Sequence, residues 1–401
     1  MSGADRRRRT YAEPVVAVTA PAFSWLAERI GGVEPTLNGM SGNGTSIVGR
    51  AGPVLVAMSG GVDSSVAAAL LVEAGHEVVG VTMKLWGGPS DTGCCAVSDV
   101  DDARRVADRL GVEHHVFNFG DDFERDVVAP YVADHAAGRT PNPCIECNRH
   151  LKFDRLLRRA DALGFSTIAT GHHARVVATA DGPRIGRGAD AAKDQSYVLH
   201  MLDDAVLGCL LLPLGAMTKA EVRHIAADLD LRTAAKPESQ DVCFITNQHG
   251  REAFLGDRIG LKPGVVVDRA GTRVGGVGSV ELVTVGQRKG LGLAGGTDPH
   301  YVIDVDPTSS TVTVGTAEDL LVDVTPLESW AWTGEPLSGE LELQCSAHGV
   351  PAPGEVVDNS VLWRDAHRRV APGQSVVAYR GDLVVGGGIV GRRGETVRRR
   401  Q

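Results

Sequence analysis

The chain has 401 residues, 43% hydrophobic and 23% charged, an ordinary balance for a folded soluble protein and too long for one compact domain, so two or three are expected. Its 41 basic and 50 acidic residues leave a net charge of −9, which excludes a uniformly basic nucleic-acid coat and confines any RNA contact to local patches. Seven cysteines scattered over this length fit thiol chemistry in a reducing compartment better than a disulfide framework, and no apolar run reaches membrane-helix length. A cytoplasmic protein with no membrane partner, acting as a monomer, is the resulting expectation.

Residues 1–52 are rich in Gly, Pro and Arg without a clean period and read as a poorly ordered extension. Arg6 to Arg9 ahead of Val15 to Ala22 is a poor leader, because Glu13 and Pro14 interrupt it. The first core strand is Val54-Leu55-Val56-Ala57-Met58, followed by Ser59-Gly60-Gly61-Val62-Asp63-Ser64-Ser65 and an Ala- and Leu-rich helix from Val66 to Glu73 that stops at Gly75. Ser59 to Ser65 is therefore a strand-to-helix turn, where backbone N–H groups and the helix dipole favour an anion. Gly60 and Gly61 admit a phosphate close to the backbone, and Ser59, Ser64 and Ser65 add hydroxyl donors. No Gly-Lys-Ser/Thr triplet of a Walker loop follows, and the spaced glycines of a dinucleotide fingerprint are missing. The string resembles the pyrophosphate-binding loop of the PP-loop ATPases, which split ATP into AMP and pyrophosphate to activate a carbonyl oxygen.

Further along, Glu77 to Met83 reads as a strand and Asp99 to Leu110 as a helix closed by Gly111. Val112 to Phe119 is a third strand, Leu151 to Leu163 a helix closed by Gly164, and Thr167 to Thr170 a fourth strand. Thr218 and Glu221 form a capping box for a helix through Leu229. Strands and helices in alternation predict a doubly wound parallel sheet. After about Gly260, closely spaced glycines punctuate short β-rich runs such as Val265-Val266-Val267 and Thr311-Val312-Thr313-Val314, which predicts two small antiparallel β-barrels. The expected division is an extension over 1–52, an α/β domain over 53–255, and β-barrel domains over 256–324 and 325–401.

Two cysteine motifs bear on function. In Arg139-Thr140-Pro141-Asn142-Pro143-Cys144-Ile145-Glu146-Cys147-Asn148, the prolines predict an extended loop ahead of a helix starting near His150, with both thiols at or near a helix N-terminus. Lys236-Pro237-Glu238-Ser239-Gln240-Asp241-Val242-Cys243 carries one thiol in a polar loop. Ala169-Thr170-Gly171-His172-His173-Ala174-Arg175 follows the fourth strand, where open α/β sheets place ligand contacts, and Lys193-Asp194-Gln195 opens a short helix. Cys144-x-x-Cys147 is half of a zinc pattern, but the second pair at zinc spacing is missing because Cys94 and Cys95 are adjacent. An iron–sulfur cluster on Cys144, Cys147 and Cys243 stays open as an alternative. Cys94, Cys95, Cys209 and Cys345 read as packing thiols.

These motifs together resemble the tRNA-specific 2-thiouridylase family, which replaces the C2 oxygen of the wobble uridine of certain tRNAs with sulfur. The resemblance runs from about Val54 to Val390 and implies a PP-loop (adenine nucleotide alpha hydrolase-like) domain followed by a central and a C-terminal β-barrel. It implies that Ala57, Met58, Ser59, Gly60, Gly61, Val62, Asp63 and Ser64 line the ATP phosphates, with Met83 and Gly171 bordering the adenosine. It implies that Asn142, Pro143 and Cys144 approach the target base and that His172, Lys193, Asp194, Gln195 and Gln374 face tRNA. Cys147 matches the family's nucleophile and Cys243 its persulfide carrier, a pair that ends the cycle as a disulfide. ATP with Mg²⁺, tRNA (the Lys, Glu and Gln acceptors) and a sulfur donor such as a cysteine desulfurase or relay protein are the implied partners. This chain departs from the pattern at Cys144, where many members carry Asp, and at Ser346-Ala347, which align with an Arg-Tyr pair. A PP-loop amide synthetase and a non-catalytic RNA-binding protein are the competing classes; the cysteine pair disfavours the first and the intact Ser59 to Ser65 loop the second.

Overall fold

Val54, Leu55 and Val56 are fully buried and Ala57 nearly so, as a parallel strand covered on both faces requires. The computed structural model describes residues 52–85, 97–237, 242–245, 250–294 and 298–392. The expectations for residues 1–51, for Cys94 and Cys95, and for Glu238 to Asp241 lie outside the described residues. The strands of the first half are β1 (Val54–Ala57), β2 (Val78–Lys84), β3 (Glu113–Asn118), β4 (Thr167–Ala169), β5 (Ala174–Thr179), β6 (Gly182–Arg187) and β7 (Leu210–Leu211). Five of them form a parallel sheet in the order β3-β2-β1-β4-β7. The main helices are α1 (Val62–Glu73), α2 (Val97–Leu110), α3 over 120–136, α4 over 143–162, α5 (Lys219–Asp228) and α6 (Gly250–Gly256), with a single further turn at Asp204–Leu207.

Alternation along β1 divides the core between the two faces of the sheet. Val54 and Val56 join α1, α2 and α5 through Val66, Val106, Val222 and Ile225. Leu55 and Ala57 join α3 and α4 through Phe123, Val127, Tyr131, Leu151 and Leu156. The strand order reverses between β1 and β4, so their C-terminal ends flank the crevice where such sheets bind ligands. The capping box is formed: Glu221 N–H donates to Thr218 Oγ1 at 3.3 Å and Thr218 N–H to Glu221 Oε2 at 2.6 Å.

The helix expected from about His150 begins seven residues earlier, at Pro143. Asn142 caps it, its Oδ1 accepting from Cys144 N–H at 3.0 Å, and Pro143 occupies the first helical position. Cys144 and Cys147 therefore lie within the first turns of α4, with Cys147 opening a π-helical stretch over Cys147–Arg155.

The second half holds β8 (Gly264–Val267), β9 (Arg273–Val277), β10 (Tyr301–Asp306), β11 (Thr311–Gly315), β12 (Leu321–Trp332), β13 (Leu341–Gln344), β14 (Ala352–Val357), β15 (Ser360–Arg368), β16 (Ser375–Arg380) and β17 (Leu383–Val390). The central sheet runs β10-β11-β8-β9, with β8 and β11 paired in parallel and the other pairs antiparallel. That one parallel pair is allowed by the long chain excursion through β9 and β10 that separates the two strands. The last six strands close into an antiparallel barrel, β12-β15-β14-β13-β16-β17, sealed by the pairing of β12 with β17. The β5–β6 hairpin leaves the first domain to join this barrel through Gly186 and Leu383, and Arg187 N–H donates to Asp382 O at 2.9 Å. Gly387 on β17 seats the barrel on His200; a Cβ there would lie 2.2 Å from the imidazole Cδ2.

Candidate active site

The turn after β1 is held open by its own side chains. Thr82 Oγ1 donates to Met58 O at 2.7 Å, which pins the end of the strand. Ser59 N–H donates to Ser64 Oγ at 3.1 Å, and Ser64 and Ser65 hydroxyls donate to Gly61 O at 3.2 and 2.8 Å. Gly60 adopts φ +71°, the left-handed region that favours glycine, and a Cβ there would lie 2.2 Å from Asp99 O. Gly61 is the N-cap of α1 without a side chain of its own, so first-turn N–H groups face the crevice. Ala57, Met58, Val62 and Met83 are buried: Ala57 and Met83 pack in the core on one face of the sheet, Met58 and Val62 in the core on the other. Gly171 follows β4 so close to α1 that a Cβ would lie 2.7 Å from Ser64 N.

Asp63, in the first turn of α1, anchors a charged cluster that the sequence reading only half identified. Lys219 Nζ lies 2.7 Å from both carboxylate oxygens of Asp63, and His173 Nε2 lies 3.2 Å from Oδ1. Burial pushes the Asp63 carboxyl up, but the hydrogen bonds from His173 and Lys219 outweigh it and hold the group below its ordinary value. Lys219 was missed, although a sequence signal existed. It occupies the first turn of a capped helix, where the dipole disfavours a cation, and it is 9% exposed. Lys236, at the start of the second cysteine motif, belongs to the same end of the sheet; its Nζ contacts Gly60 O, Asp99 and Asp102.

Cys147 and Cys243 lie with the core on the face of the sheet opposite α1. Cys147 is buried in the core cluster that contains Phe123, Tyr131, Phe244 and Phe254, and Cys243 packs against the same cluster. The Phe244 ring lies edge-on to Phe123 and Tyr131, with centroids 5.6 and 5.4 Å away, which secures the segment bearing Cys243. Cys144 is half-buried at the start of α4. Among the described residues no group of three or more His, Cys, Asp or Glu side chains is arranged to hold a metal. Burial pushes the Cys345 thiol up to about 12, in keeping with a packing role.

Of the residues expected to face tRNA, His172 and Asp194 are buried. His172 Nδ1 is 2.8 Å from Thr170 Oγ1 and its ring packs on Phe153; burial, then nearby Lys152 and His173, hold it well below its ordinary value, so it is neutral. Asp194 accepts from Gly188 N–H, Ser196 N–H and Ser196 Oγ at 2.9, 3.0 and 2.8 Å and pairs with Arg187. It is spent on its own loop because a buried carboxylate needs such partners. Gln195 Oε1 accepts from His173 N–H at 2.9 Å, and Lys193 beside it is half-buried. The loop before Asn142 and Pro143 is gripped from both β domains. Thr140 N–H donates to Pro372 O at 2.8 Å, Gln374 Nε2 donates to Thr140 O, and Thr140 Oγ1 donates to Thr284 Oγ1 at 3.3 Å. Arg139 bridges Asp134 and Glu328 at 2.9 and 2.6 Å.

Three family models match the chain in succession: the tRNA methyl transferase HUP domain over residues 52–247, the tRNA methyl transferase PRC-barrel domain over 252–316, and the aminomethyltransferase beta-barrel domain over 325–390. The tRNA-specific 2-thiouridylase MnmA of Carboxydothermus hydrogenoformans is 46% identical over 366 residues, covering 86% of this chain and 99% of its own. The protein of that name from Mycolicibacterium smegmatis is 46% identical over 369 residues, covering 85% and 99%. Among solved structures, NMN synthetase from Francisella tularensis superposes on 47% of this chain and 66% of its own at 20% identity and a TM-score of 0.30, too distant to inform the site. No described helix is long and apolar enough to cross a membrane. Near-full-length identity at this level places the chain in a family: it belongs to the tRNA-specific 2-thiouridylases, which are tRNA sulfurtransferases.

Proposed function

We propose that the protein 2-thiolates the wobble uridine of tRNA in an ATP-dependent reaction, with sulfur carried on Cys243 and released by Cys147. The observation that carries this reading is the packing of Cys147 and Cys243 on one core cluster, on the same sheet whose β1–β4 crevice holds the Ser59 to Ser65 turn. A uridine C2 oxygen is a poor leaving group. In the proposed first step it attacks the α-phosphorus of ATP, pyrophosphate departs, and C2 then carries AMP as its leaving group. The turn's N–H groups and hydroxyls would hold the phosphates, with Lys219 supplying positive charge as it exchanges Asp63 for the nucleotide. Asp63 fits a Mg²⁺ arriving with ATP, since it is the turn's own carboxylate and a third of its side chain is exposed; the ion would neutralise phosphate charge.

Sulfur transfer follows by one of two routes with the same products. The terminal sulfur of a Cys243 persulfide adds to C2, AMP leaves, and the Cys147 thiolate attacks Cys243 Sγ to break the S–S bond, freeing 2-thiouridine. Alternatively Cys147 attacks first and releases hydrosulfide, which displaces AMP. Either way a Cys147–Cys243 disulfide remains, and an external dithiol must supply two electrons to reset it. Lys, Glu and Gln acceptor tRNAs are the proposed substrates, and a cysteine desulfurase or relay protein the proposed sulfur donor. One assay tests the whole reading: AMP formation should require both tRNA and a sulfur donor, and AMP release independent of either would overturn it.

A further inference from the structure

Lys236 lies behind the phosphate turn, on the chain that leaves α5. Its Nζ donates to Gly60 O at 2.9 Å, to Asp99 Oδ1 at 2.6 Å and to Asp102 Oδ2 at 2.7 Å. An ammonium group has three N–H donors, and these three contacts use them all. Lys236 is therefore not poised to bind phosphate itself. Its backbone is held in turn, because Arg223 donates to Ala234 O at 2.6 Å and to Lys236 O at 3.2 Å. Arg232 meets the far side of Asp102 at 2.9 Å, so the two carboxylates are balanced by two cations.

The consequence lies in the geometry of one peptide. In a planar trans peptide, the carbonyl of Gly60 and the N–H of Gly61 point in opposite directions. By holding the Gly60 carbonyl, Lys236 aims the Gly61 N–H the other way, at the N-terminal end of α1 where an anion would sit. The same cluster clamps the turn from below: Gly60 sits at φ +71° directly against Asp99 O, with no room for a side chain. We propose that Lys236 is a positioning residue for ATP, which acts through the Gly60–Gly61 peptide and the N-terminus of α2 to preset the phosphate-binding N–H groups. The proposal rests on the reading of Ser59 to Ser65 as the phosphate turn.

The test is steady-state kinetics of tRNA thiolation with Lys236→Met and Lys236→Arg, alongside a Ser59→Ala/Ser64→Ala variant. Loss of one charged hydrogen bond that preorganises a binding loop should raise KM for ATP about tenfold or more in Lys236→Met. KM for tRNA should stay within about twofold of wild type, since the β domains are untouched. Lys236→Arg keeps the charge and the reach to Asp99 and Asp102, so it should recover most of the ATP affinity. An unchanged KM for ATP in Lys236→Met overturns the proposal. So does a parallel rise in both KM values with a lowered melting temperature, the mark of a merely structural residue. If the serine variant also leaves KM for ATP unchanged, the phosphate-turn reading itself has failed; if it raises KM and Lys236→Met does not, only the role of Lys236 has.

Discussion

Gln374, on the C-terminal barrel, donates its side-chain amide to the main-chain carbonyl of Thr140, four residues before Cys144. Pro372 O accepts from Thr140 N–H at 2.8 Å, so both backbone polar groups of one loop residue are satisfied by a different domain. Arg139 and Glu328 add an ion pair at 2.6 Å on the same seam. The barrel thus sets the path of the chain into the cysteine helix, and Gln374, a residue expected to face tRNA, makes one of the contacts that hold it.

Gln374→Ala should accordingly lower the rate of thiolation about tenfold while leaving tRNA affinity within about twofold, since the loop loses an anchor and not a ligand. Filter binding and single-turnover thiolation on one preparation separate the effects. A weakened Kd with an unchanged rate would instead make Gln374 an RNA contact.

Ser59→Ala and Asp63→Ala should lose AMP release while still binding tRNA. Asp63→Ala also strands Lys219, which is 11% exposed at its side chain, without its closest counter-charge. The expected cost is about 1–3 kcal/mol of stability, less than for a fully buried pair because Asp63 is partly solvated. Pyrophosphate release and thermal melts check both, and wild-type ATP turnover in either variant would remove this turn from the mechanism.

The cysteines should separate by role. Cys243→Ser and Cys147→Ser should each abolish thiolation, by removing the sulfur carrier and the thiol that frees sulfur. Cys144→Asp should stay within about threefold of wild type, because position 144 caps no core and a carboxylate suits the first turn of a helix. Thiolation of an anticodon stem-loop by each variant, with iron measured in the same samples, is the readout. Iron lost together with activity in Cys144→Ser would favour a cluster after all.

Acid should loosen the domain seams. Burial holds His200, beneath β17 and near Arg149, and His135, beside Arg251 with its Nδ1 3.2 Å from Glu281 O, each down to about 4. Both are neutral in the folded protein, whereas in the unfolded chain they take up protons below about 6.5. Stability is therefore complete above that value and is lost as the pH falls from about 6.5 toward 4, by on the order of a few kcal/mol. Melting temperature against pH should show this slope in wild type, and a flatter one in His200→Gln. Equal slopes would assign the acid sensitivity elsewhere.

Much of this protein is legible in its residues because the signals are local. Val54 to Ala57 must be a buried strand, Ser59 to Ser65 a turn open to an anion, and Thr218 with Glu221 a helix start, since each depends on neighbours a few positions away. Asn142-Pro143 carried an equally local helix-start signal that the flanking prolines obscured. What sequence could not supply are pairings made across long chain separations. Lys219 meets Asp63 across 156 positions and Lys236 meets Gly60 across 176, and neither leaves a periodic trace. The β5–β6 hairpin reads as part of the α/β domain yet joins a barrel that forms some 200 residues later, through Gly186 and Leu383. Only the folded chain could show that His172 and Asp194 are buried, because burial is decided by what packs over a residue, and that arrives from elsewhere in the sequence.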